Sequence, residues 1–77
     1  MAKEITNENV TLEVGDLVSH RSGDNEIFNR ISNIDPVKKT VTFIEVNAGE
    51  SETVVLVSMV CSGIRNKAYA HYGRKNG

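Results

Sequence analysis

The chain has 77 residues, 39% of them hydrophobic and 25% charged, with a formal net charge of −1. That length holds one domain with a small core, and that composition excludes a chain disordered throughout. So little core makes a deep catalytic cleft hard to carve, and the longest strictly apolar run, Val54–Val57, is far too short to cross a bilayer.

Residues 1–9 are mostly polar and read as a flexible lead-in. From there to residue 60, β-type segments alternate with turn signals, the pattern of a small barrel. Val10, Leu12 and Val14 alternate with Thr11 and Glu13, as a half-buried strand does. Gly15-Asp16 breaks that pattern, and Leu17 to His20 continue it in extended form. Arg21 to Asn25 is a polar turn whose Gly23 suits a positive φ. Ile27 to Ile34 reads as the next strand, and its irregular apolar spacing calls for a bulge near Asn29–Ser32.

Asp35-Pro36 opens a turn with Lys38 and Lys39 at its exposed end. Thr40 to Val46 is dense in β-branched and aromatic residues, the composition of a strand. Asn47 to Glu50 forms a hairpin loop. Thr53 to Val57 is apolar on both faces and is expected to be central and covered on both sides. Residues 61–77 form the last segment, a helix and a basic tail. Val60, Ile64, Ala68 and Tyr72 recur every fourth residue, which predicts a helix over 62–72 capped by Ser62 and ended by Gly73. Tyr69 and Tyr72 are expected to face the barrel together. The fold class expected is therefore mainly β, a small five-stranded, partly open barrel over 10–60 with a short C-terminal helix.

Charge is unevenly distributed. Residues 1–60 carry five basic residues against ten acidic ones, whereas Arg65, Lys67, Arg74 and Lys75 make the last segment purely basic. Tyr69, His71 and Tyr72 lie among them, and interleaved cations and aromatics suit nucleic acid through phosphate contacts and base stacking. Arg30, Lys38 and Lys39 extend the set of candidate contacts. Glu45, Glu50 and Glu52 form a candidate acidic face for docking on a basic protein surface.

No arrangement speaks for catalysis. Cys61 lies in an apolar run and reads as a buried, inert thiol, and neither His20 nor His71 has a neighbouring nucleophile signature. His20, Asp24 and Glu26 share one turn, but they read as solvated polar residues, so neither a metal nor a cofactor is expected. With a single cysteine, no disulfide forms within the chain. Met1–Val14 lacks the apolar run of a signal peptide, and a cytoplasmic protein is expected.

Val14-Gly15-Asp16-Leu17-Val18, the Gly23 turn, Arg30 to Asp35 and Thr40 to Ile44 resemble the Src-homology-3-like small barrels, in their KOW and Tudor-like branch, over residues 12–57. Asn29 and Arg30 stand where a KOW-type glycine is expected. The resemblance implies a binding module for proteins or nucleic acids. Together these features predict a small non-enzymatic module that docks on a protein partner as an accessory or regulatory factor. The alternative is a nucleic-acid-binding barrel using the basic segment. A membrane partner is not expected, and homo-oligomerisation fits either reading, because exposed strand edges invite pairing.

Overall fold

The computed structural model describes residues 3–47 and 51–73, which form seven strands and one helix. β1 (Glu4–Asn7) and β2 (Val10–Glu13) make a two-stranded hairpin. β3 (Leu17–Ser22), β4 (Asn25–Asp35), β5 (Thr40–Glu45), β6 (Glu52–Leu56) and β7 (Tyr69–Gly73) form an antiparallel sheet in the order β6-β5-β4-β3-β7. The two edges, β6 and β7, do not pair with each other, so the barrel is partly open. Helix α1 (Val57–Arg65) links them.

Local chemistry accounts for the hairpins. Glu8 and Asn9 both take positive φ (47° and 75°), which matches the strand twist in a two-residue turn. Gly23 does the same at φ 64° between the paired Ser22 and Asn25. Asp35 Oδ1 accepts the N–H groups of Val37 and Lys38 at 3.0 and 3.1 Å, which closes the β4–β5 turn in place of a strand bond. The expected bulge is at Ser32: Ile31 pairs with Phe43, but Asn33 pairs with Thr42. The extra residue lets Ile31 and Ile34 both point inward, although they are three apart.

The core is Leu12, Val18, Ile31, Ile34, Val41, Phe43, Val57, Val60 and Cys61. It is enclosed by the concave sheet face, the β1–β2 hairpin and the apolar side of α1. Burying side chains of this size contributes about 1.5–3 kcal/mol each, so a few contacts carry the domain.

Four expectations differ from this arrangement. Residues 1–9 contain β1, in which Ile5 packs on the core opposite Leu12. Val10–Glu13 pairs with β1 and not within the main sheet, whose fifth strand is β7. Thr53–Val57 is not central. β6 is an edge strand with Val54 63% and Leu56 48% exposed, because only β5 pairs with it. The helix covers Val57–Arg65 and not 62–72. Its buried positions Val57, Val60 and Cys61, with half-buried Ile64, are a helical stripe that begins inside the apolar run taken for a strand. Asn66 and Lys67 then end the helix, their N–H groups returning to Ser62 O and Ile64 O. Ser62 is thus interior, and the following residues extend along the free edge of β3. Ala48–Glu50 of the expected hairpin loop lie outside the described residues.

Gly63 allows a close approach of helix and strand. A Cβ there would sit 2.7 Å from Tyr69 Cδ2, so the bare helix face is the seat of the tyrosine ring. Gly63→Ala should therefore destabilise the fold by about 1–3 kcal/mol through overpacking, outweighing the gain of roughly 1 kcal/mol in helix propensity. Urea unfolding followed by tyrosine fluorescence measures the sign directly.

Candidate functional site

Alternation along the paired strands divides the sheet into two faces. On the inner face, His20 stands opposite Ile27 and Tyr69, and Asn29 stands opposite Glu45. Where the core ends, these residues, with Phe43, Thr53 and Val55, line an open cleft of about 260 Å³ at the mouth of the barrel. The His20 and Tyr69 rings lie 6.0 Å apart at 56°, and Asn29 Nδ2 approaches His20 Nδ1 at 3.5 Å. Glu45 lines the cleft together with Phe43 and Tyr69.

Beside the cleft lies a structural lock. Asp16 is 2% exposed, and its Oδ2 accepts the Glu13 N–H at 2.9 Å and His71 Nε2–H at 2.8 Å. A carboxylate oxygen only accepts, so the hydrogen of this contact is on the imidazole.

The outer face carries a different set. Ser19 Oγ donates to Glu26 Oε2 at 2.6 Å, and Tyr72 Oη donates to the same oxygen at 3.1 Å. The Phe28 and Tyr72 rings are 5.9 Å apart at 37°. Arg30 reaches across to Gly15 O at 3.3 Å.

The candidate contacts of the sequence are therefore dispersed. Arg65 pairs with Glu8 at 3.6 Å on the helix, and Lys67 lies in the turn after it, sharing a small recess with Arg21 and Glu26. Lys38 and Lys39 border another recess with Leu56 and Ser58. Tyr69 faces inward and half-exposed Tyr72 outward, because this segment is a strand and three-apart residues take opposite faces. His71 is held by Asp16. The acidic set is not one face: Glu45 points into the cleft, whereas Glu52 stands opposite Ile44 on the outer face. Arg74, Lys75 and Glu50 lie outside the described residues.

His20, Asn29 and Phe43 were not among the sequence candidates. Strand parity was the signal available for them: with Val18 inward His20 is inward, and with Val41 inward Phe43 and Glu45 are too. Among the described residues no three His, Cys, Asp or Glu side chains converge to hold a metal ion, and no helix is long and apolar enough to cross a membrane. In comparisons with known proteins, no family model, no curated protein and no solved structure matches the chain.

Two groups have displaced pKa values. The bonds from Ser19 and then Tyr72, with a smaller pull from Arg21, hold the Glu26 carboxyl below its ordinary value against the opposing effect of burial. A carboxyl depressed in the folded state contributes stability that is present above its unfolded value and fades as pH falls through the folded one. Glu26→Gln should lower the urea midpoint at neutral pH, and the difference from the parent chain should vanish in acid. Burial pushes the Cys61 thiol up, with Arg65 opposing weakly. Iodoacetamide should therefore alkylate the native chain at least about tenfold more slowly than the urea-unfolded chain at the same pH, read by mass spectrometry.

Proposed function

We propose that this chain is a small non-enzymatic binding module whose open cleft docks on a protein partner by taking one of its basic side chains. The observation that carries the reading is the grouping of Glu45 with Phe43, Tyr69 and His20 at the barrel mouth. A lysine or arginine side chain placed there would lay its apolar stem on the rings and bring its charge to the carboxylate, with a cation–π contribution of about 0.5–1 kcal/mol. The strand order, in which β7 returns beside β3, supports the Src-homology-3-like resemblance, whose members act as binding modules. The buried thiol of Cys61 and the engagement of His71 with Asp16 support a role without catalysis. A lone, buried cysteine also fits a cytoplasmic accessory or regulatory factor.

Nucleic-acid binding is the weaker reading. Among the described candidate cations, Arg65 and Lys67 stand at the helix end and Lys38 and Lys39 at the β4–β5 turn, and Arg65 is paired with Glu8.

Titration of the labelled chain with N-acetyl-lysine and N-acetyl-arginine methylamides, followed by amide chemical shifts, tests the proposal. Shifts should centre on Glu45, Phe43 and Tyr69, and Glu45→Gln should weaken binding by about three- to tenfold while the fold is retained. An N-acetyl-glutamate control should leave the cleft unshifted. Shifts centred instead on Arg65, Lys67, Lys38 and Lys39 with an oligonucleotide, with a log–log salt slope of roughly −3.6 for four phosphate contacts, would establish the alternative.

A further inference from the structure

The two edges of the main sheet are built differently. β7 is irregular, with a register shift against Leu17/Val18 and a closing Gly73 at φ 70°. β6 pairs with β5 in unbroken register and reads Glu-Thr-Val-Val-Leu, with no lysine, proline or bulge to blunt it.

The hydrogen-bond parity of β6 follows from one contact. Val57 N–H donates to Lys39 O at 2.9 Å, and Thr40 stands opposite Leu56. In an antiparallel ladder such a bond flanks a non-hydrogen-bonded pair, so the pairs Val41/Val55 and Phe43/Thr53 exchange the bonds. Thr53 and Val55 therefore direct their backbone groups to β5, and Glu52, Val54 and Leu56 direct theirs to the open edge. Leu56, as the helix N-cap, keeps its carbonyl for α1 and offers only its N–H.

We infer that β6 pairs with β6 of a second copy about a two-fold axis at Val54, continuing the sheet through both protomers. In that register Val54 exchanges both backbone bonds with Val54 of the second copy, and the Leu56 N–H donates to the opposing Glu52 carbonyl. The outward groups of one edge thus meet the outward groups of the other, as an isologous contact requires. The outer-face side chains of Val54 and Leu56, which are among the most exposed large apolar residues, become covered from the side. No like charges oppose each other. Each Glu52 stands across from Leu56, beside the exposed Lys38 and Lys39 that share the Leu56 recess, so the pairing joins opposite charges twice. The barrel mouth is on the inner face, where Thr53 and Val55 of β6 line it, whereas this contact uses the outward backbone groups of Glu52, Val54 and Leu56.

Sedimentation velocity of the full chain across the micromolar range tests the inference. The parent chain should show a monomer–dimer equilibrium. Val54→Pro removes an N–H that the protomer's own ladder does not use, so it should give a folded monomer with an unchanged far-ultraviolet spectrum. Glu52→Lys should weaken the dimer about tenfold or more by setting lysines against lysines, and adding Lys39→Glu should restore it. Should Val54→Pro fail to fold, the Glu52→Lys pair of measurements decides alone. A parent chain that stays monomeric, a dimer indifferent to Glu52→Lys, or open-ended polymers would each overturn the inference.

Discussion

The buried carboxylate of Asp16 is the contact on which the architecture depends. It receives the Glu13 N–H from the end of β2 and the His71 imidazole from β7, two segments far apart in the chain. On either side, the Gly15 N–H donates to Ile31 O at 2.8 Å and the Ile31 N–H donates to Asp16 O at 3.0 Å. One turn thereby joins the small hairpin, the middle of the longest strand and the last strand. A buried carboxylate is costly to leave unpaired, so any displacement of β7 would leave Asp16 short of a donor. That cost fixes β7 against β3 where the sheet pairing is irregular.

Fixing β7 determines what the inner face can do. Tyr69 comes to rest on Gly63 and beside His20, forming one wall of the cleft opposite Phe43 and Glu45. The same strand places Tyr72 on the outer face, where its hydroxyl and ring fasten Glu26 and Phe28. The small core thus leaves two polar clusters at the strand ends, one closed by its own hydrogen bonds and one open to a visitor. The closed cluster and the open cleft lie on different faces of one sheet, and β6 forms its edge.

Several elements were legible because their signals are local. The Gly23 turn, the bulge near Ser32 and the strand from Thr40 follow from φ preference, from apolar spacing that fits neither period, and from β-branched density. The helix boundaries were not. Val57 serves as the end of one element and the start of the next, its N–H completing the sheet while its side chain opens the buried stripe of α1. Read alone, Thr53–Val57 has the composition of a covered central strand, yet it pairs on one side only. In the candidate site, Glu45 and Tyr69 were visible as residue types. Their meeting was not, since a strand and a helix separate them in the chain.

The sequence by itself determined a mainly β domain, the positions of most turns, one short helix in the last third of the chain, and an uneven charge distribution. Those properties rest on interactions between residues a few positions apart, which composition and period record. Tertiary structure alone decided which strand became the fifth, which edge stayed open, and which acidic and aromatic side chains share the cleft. These outcomes depend on where the chain ends its pairing and on one buried carboxylate finding a donor 55 positions away. No local pattern encodes a partner that distant.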